Sequence, residues 1–451
     1  MTTYARRLGL FSATMAVVGG IIGGGIFRTP ADVSARVGSP GLALGAWILG
    51  GVVALIGAFC FGELGQRLPR AGGGYVYLRE AWGPLPAFLY GWALLLVIAT
   101  GAIAAVAVTF ADYTIALTGL PQEWTIRLAV GAIVLLAAIN YVGVAPGAMT
   151  VNILTVLKLG ALAALVVAGL VFAVPPSLPL EPGPGVPARH WLLALGSALV
   201  PILFTYGGWQ QTNFIAEEIV GPERTLPRAL VGGVALVVAV YVLANLAYLR
   251  VLGPEGLATS TAPAADTMRI LLGNGGATFI AAGIAISTFG FLDLVILVTP
   301  RVLQAMAADG VFFAALARLH PRFRTPGNAI IAESAWAVVL TLTGTFGQLV
   351  DYVSFGDWIF FGLTVAGLYR LRANERSGDG ARAHRGFAVP GYPWTPALFV
   401  AAAALVVISV ILANPRNAAV GTGLLLLGIP VYLWWARLRA LAVRSRVGSA
   451  A

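Results

Sequence analysis

Residues 19–27 read GGIIGGGIF, and residues 204–211 read FTYGGWQQ. Both stretches interrupt apolar runs long enough to cross a bilayer, and the two runs are five spans apart in the chain. In hydrocarbon every backbone N–H and C=O needs a partner, so unwound backbone is tolerated only where it is buried in protein or lines a cavity. One glycine cluster alone is more often a close helix contact through small residues. The 56 glycines of this chain supply such contacts somewhere. Two clusters at equivalent places in two halves point instead to a substrate site between inverted repeats, each contributing a helix broken at mid-membrane.

The surrounding composition supports a membrane setting. Of 451 residues, 59% are hydrophobic and 10% charged, against about 25% charged in soluble domains, and the mean hydropathy is +0.88. Twelve apolar runs of membrane-crossing length are expected at about 10–36, 42–66, 84–118, 126–144, 149–173, 192–218, 227–253, 276–308, 328–344, 346–371, 396–413 and 418–436. No hydrophilic stretch is long enough for a second domain; the polar segments 174–190 and 372–395 read as loops rich in Pro, Gly and Arg. The expected fold is therefore an all-α polytopic membrane protein, one integral domain over 1–451. A first repeat covers 10–173, a second 192–371, and two further helices lie within 396–436. The first run lacks a small-residue cleavage site and reads as a retained helix rather than a signal peptide.

A net charge of +10 would suit nucleic acid, but the basic residues are scattered through short loops, where topology explains them better. With a cytoplasmic N-terminus, 20 of the 28 basic residues face inward, so both termini are expected in the cytoplasm. Compact, arginine-rich loops fit a bacterial plasma membrane. Cys60, the single cysteine, forms no intrachain disulfide and gives no sign of a disulfide-linked subunit. His190, His320 and His384 all fall in loops, and no HExxH motif, paired-cysteine metal site or nucleophile constellation appears, so an enzyme, a metal site or an organic cofactor is not expected. No filter-like repeat suggests a channel.

Four longer stretches carry a resemblance: GGGIFRTP at 23–30, ELGQRLPRAGGGYVYLREAWGPLPAFLYGW at 63–92, FTYGGWQQTNFIAEEIVGPERTLPRAL at 204–230, and STFGFLDLVILVTPRVLQAMAADGVFFAALARLHPRFRTP at 287–326. Together they resemble the amino acid–polyamine–organocation permeases over roughly residues 10–372, most of all the L-type amino acid transporters and their prokaryotic relatives. The resemblance implies a leucine-transporter-type fold of five plus five inverted helices, with helices 1 and 6 broken and two peripheral C-terminal helices. It implies alternating-access transport of amino acids, neutral ones first and cationic ones or polyamines as the alternative, by exchange or proton linkage. The amides around Gly23, Gly24 and Gly25 would hold the substrate carboxylate, because a half-helix N-terminus offers free N–H donors and positive dipole. Carbonyls of Ile21, Phe204 and Gly207 would accept from its ammonium. Phe204 is either a lid over the substrate or a packing aromatic. Gln210, Gln211 and Asn213 face either the cavity or a neighbouring helix.

Ionisable residues inside a membrane are expensive and raise a functional question. Glu63 is expected to pair with Arg67 or Arg70, and Glu217 and Glu218 to act as gate or loop ion-pair partners; Glu333, Asp351 and Asp357 have no evident partner. Asp293 stands mid-span where L-type relatives usually carry asparagine. It would accept from a cationic or polar substrate side chain, be protonated, or pair with another buried group. Lys158, in VNILTVLKLGALAAL, is the one lysine beside 27 arginines. It either snorkels to the interface or has a role that needs a group able to lose its proton. In the resembling permeases a lysine here takes the place of a sodium ion in sodium-coupled relatives, which implies sodium-independent transport with its ammonium on backbone carbonyls near Gly23.

Overall fold

The computed structural model describes residues 3–172, 191–344, 346–377 and 386–448. Its first apolar run is two helices. α1 (Leu10–Ile21) stops within the glycine run, a single 3-10 turn covers Gly25–Phe27, and α2 (Thr29–Val37) resumes the path. Glycine is a poor helix former, whereas Pro30, in the first turn of α2, is pre-set for a helix start.

The next helices are α3 (Pro40–Arg67), the short α4 (Gly74–Trp82), and α5 (Pro84–Ala93), which passes through a π-helical turn at Leu94–Ile98 into α6 (Ala99–Thr118). α7 (Thr125–Val142) and α8 (Val144–Val171) follow. The sixth run divides as the first does. α9 (Trp191–Thr205) ends at residues 206–208, and a 3-10 stretch, Trp209–Glu218, continues. Gly208 at this break has φ 103°, a region glycine enters without steric cost.

α10 (Pro222–Thr259) and α11 (Pro263–Val298) are longer than the expected runs at 227–253 and 276–308, because helix continues past kinks at Gly253 and Gly273. α12 (Pro300–Ala308), α13 (Gly327–Thr343), α14 (Phe346–Ser377), α15 (Trp394–Ala413), α16 (Pro415–Leu426) and α17 (Gly428–Gly448) complete the chain. Among the described residues eight helical segments are long and apolar enough to cross a membrane, and α1 and α13 are shorter apolar helices. The expected loop 174–190 with His190, the stretch around His384 and the Asp351 side chain lie outside the described residues.

α1 occupies the centre, packed against α8, α10 and α11, with Ala13 and every residue from Met15 to Ile21 buried. α15 and the α16–α17 segment are the least enclosed: 22% and 17% of their apolar windows are buried, against 72% for α11–α12. They lie at the edge. Elsewhere glycine acts through size: a Cβ on Gly51, Gly233 or Gly283 would come within 2.7–2.8 Å of Val238, Val17 or Ala161. Small-residue packing and helix breaking therefore coexist in this chain.

Candidate functional site

The two breaks cross backbone to backbone. A Cβ on Gly208 would lie 2.1 Å from the Gly20 carbonyl oxygen, and one on Gly20 would lie 2.8 Å from that of Gly208. Only two glycines fit this crossing, and it juxtaposes the two unwound segments.

The last carbonyls of α1 lose their helical partners where the chain unwinds. Ile22 N–H still reaches Val18 O, at 2.9 Å, but Gly23 N–H turns back to Ile21 O, also at 2.9 Å, instead of continuing to Gly19. Ile22, with φ −79° and ψ 89°, is the centre of an inverse γ-turn. The Gly19 carbonyl is taken by Lys158 Nζ at 3.2 Å, which also donates to Ile22 O at 2.7 Å and to Ser287 O at 3.2 Å. Ser287 Oγ donates to Ile22 O and Gly23 O at 3.2 and 3.1 Å. Tyr241 OH donates to Ile21 O at 3.1 Å. Lys158 is fully buried. It braces the break from α8 and does not snorkel to an interface.

Beside the crossing lies a cavity of about 1150 Å³, lined on one wall by Gly23, Gly24, Gly25, Phe204, Gly207 and Gln210. The amides of Gly24 and Gly25 meet no acceptor among the described residues, and space opens beyond the Gly24 Cα. The Gly207 carbonyl also has no donor there, whereas Phe204 O accepts from Gly207 N–H at 3.0 Å. Phe204 is 39% exposed, its ring free in the cavity. Gln210 lines the cavity while its Oε1 accepts from Gly208 N–H at 3.0 Å, so it also ties down the second break.

Three expectations require correction in this conformation. The Gly23 amide is spent on Ile21, and the Ile21 carbonyl already accepts two bonds, one for each lone pair. Asp293 is fully buried and absent from the cavity wall. One of its carboxylate oxygens accepts from Asn140 Nδ2 at 2.7 Å on α7, and the other has no partner among the described residues. Helix rotation turns Asp293 away from the site, and among the described residues the carboxylate that does line the cavity is Asp357. Sequence reasoning also missed Tyr241, Ser287 and the π-helical turn, whose Leu94, Val97 and Ile98 form part of the wall. No local signal marks those positions.

The cavity extends to the end of the molecule that carries Arg36, Leu193 and Asn414. The opposite end is closed. There Glu218 and Arg301, both fully buried, form an ion pair at 2.7 Å. Arg7 and Leu8 N–H groups donate to Glu218 O at 2.9 and 3.0 Å, and Val220 N–H donates to Leu8 O at 2.8 Å. Tyr4 stacks its ring 5.9 Å from the Arg301 guanidinium. Burial pushes the Tyr4 phenol well above its ordinary range, so it stays a neutral donor, to Gln304 Oε1 at 3.3 Å. Glu63 ties α3 to α14 by accepting from Arg67 and Arg372 and from the Val389 amide. Arg70 instead pairs with Glu80 at 3.5 Å. Among the described residues no group of three His, Cys, Asp or Glu side chains is placed to hold a metal ion.

A family model described as amino acid permease matches residues 8–435. The chain is 33% identical over 380 residues to the human b(0,+)-type amino acid transporter 1, covering 83% of this chain and 78% of that protein. It is 33% identical over 449 residues to the mouse large neutral amino acids transporter small subunit 2, covering 95% and 80%. To the serine/threonine exchanger SteT of Bacillus subtilis it is 31% identical over 436 residues, covering 95% and 96%.

Proposed function

Because the chain belongs to the amino acid permease family, we propose that it carries neutral amino acids across a bacterial plasma membrane by alternating access, in exchange for another amino acid or linked to protons and without sodium. It is a multi-pass membrane protein and an amino acid permease. The observation that carries the finer reading is the crossing of two unwound helices at Gly20 and Gly208 beside a cavity whose described wall reaches the exposed Arg36 and Asn414 but not the buried Glu218–Arg301 pair. In such an arrangement of two inverted repeats, 10–173 and 192–371, the broken helices bind substrate and a bundle rocks against a scaffold so that the site opens to one side at a time.

In this reading the amides of Gly24 and Gly25 take the substrate carboxylate, and the Gly207 carbonyl, with the second lone pair of Phe204 O, takes the ammonium. All are backbone groups, so they recognise what every amino acid shares. Phe204 closes over the bound molecule, and opening of the Glu218–Arg301 end releases it. With both termini in the cytoplasm, that closed end is the cytoplasmic one and the conformation faces outward. Sodium independence is supported by Lys158: unwound carbonyls are what sodium binds in transporters of this kind, and here an ammonium fills the place.

The test is counterflow in proteoliposomes. Radiolabelled serine or leucine should accumulate only when unlabelled amino acid is inside, or when a proton gradient is applied, and equally in sodium and choline buffers. A strict sodium requirement would overturn the ion assignment, and absence of uptake under every gradient would overturn transport of these substrates.

A further inference from the structure

Among the described residues the cavity wall contains two charged side chains, Arg36 near its mouth and Asp357 on α14. Arg36 donates to the Ser197 carbonyl at 3.2 Å. Asp357 is half-buried and meets no hydrogen-bond donor or cation among the described residues. The other acids of the bundle differ. Glu63 is held by Arg67 and Arg372, Glu218 by Arg301, and Asp293 by Asn140. Glu333 has neither oxygen hydrogen-bonded among the described residues, but it is fully buried and outside the cavity.

An unpaired carboxylate at this depth is costly, and such groups face a cavity because their partner comes from there. The surroundings suit a cation. Tyr90, Trp358 and Phe361 line the same space, with the Trp358 and Phe361 rings 5.7 Å apart. Aromatic faces attract a guanidinium or ammonium. Leu94 and Val97, offered by the π-helical turn, give the aliphatic part of a long side chain an apolar wall. π-turns are frequent at functional sites because they re-aim a helix face.

We propose that Asp357 is a specificity-determining residue that admits amino acids with a cationic side chain, such as arginine or lysine, to this cavity. The inference rests on the transport reading above and extends its substrate class beyond neutral amino acids. The carboxylate pairs with the cationic group while the backbone of the two breaks holds the common amino and carboxyl groups.

The experiment measures kcat/KM for radiolabelled arginine and leucine in proteoliposomes of the parent, Asp357→Asn and Asp357→Glu. The arginine-to-leucine ratio should fall tenfold or more in Asp357→Asn and stay within threefold of the parent in Asp357→Glu. A parent that carries leucine but excludes arginine overturns the proposal, as does a ratio unchanged in Asp357→Asn. A second measurement needs no variant: arginine should inhibit leucine uptake by the parent at a concentration at least tenfold below its neutral isostere citrulline. Equal inhibition overturns the charge pairing while leaving transport itself intact. Failure of the parent to carry either amino acid defeats the transport reading, and this inference with it.

Discussion

Gly24→Val separates a role in binding from a role in folding. Gly24 has φ −84° and ψ −17°, which any residue adopts, and a Cβ there has no atom within 4 Å. The backbone and the Cβ of the substitution therefore meet no strain, and melting of the purified protein should change little. The valine instead projects into the cavity in front of the Gly24 and Gly25 amides. Hydrogen bonds to a charged group contribute about 1.5–3 kcal/mol each. Losing both costs at least about 3 kcal/mol, or roughly a hundredfold in substrate KM. Gly208→Ala is the contrasting control. With φ 103° and a Cβ 2.1 Å from Gly20 O, it must push the two breaks apart, and both melting temperature and transport should drop. A parental KM in Gly24→Val, measured by competition uptake, would refute the assignment of the carboxylate to these amides.

Lys158→Ala leaves the Gly19 carbonyl without its donor and should abolish most uptake while the protein still inserts; Lys158→Arg should not restore it, because the larger guanidinium does not fit among three carbonyls. Full uptake by Lys158→Ala in liposomes would remove the bracing role. Phe204→Ala should change turnover with little effect on melting, since the ring is 39% exposed; parental kinetics would exclude a lid. Arg301→Met strands the buried Glu218 carboxylate and should destabilise the closed end by about 3–5 kcal/mol, with much of this recovered in Glu218→Leu/Arg301→Met. Equal melting of the single and double variants would show that the pair is not what holds that end. Asp293→Asn should leave arginine and leucine uptake in their parental ratio, because Asp293 faces Asn140 rather than the cavity; a selective loss of arginine would return the specificity role to it.

The helix breaks were legible in the sequence because glycine weakens helix locally; paired glycines also sit inside the intact helices α3 and α10, so it was the matching place of two clusters in the two halves that singled out the breaks. Composition likewise determined the membrane setting, since no water-soluble packing accommodates so few charges. The singular Lys158 announced itself through the cost of burying an ammonium, whereas the three carbonyls it meets were set by packing. Which way a side chain faces was another matter. α11 and α14 are surrounded by protein on several sides, so their apolar pattern does not single out a face. Packing alone set the rotation that turned Asp293 to α7 and Asp357 to the cavity. The capping of Ile21 O by Tyr241 and the pairing of Glu218 with Arg301 join residues 220 and 83 positions apart. Sequence determined where the backbone must open, because that depends on each residue's own conformational preference. Only the tertiary structure decided which distant groups close around the opening, because hydrogen-bond partners are chosen by proximity in space.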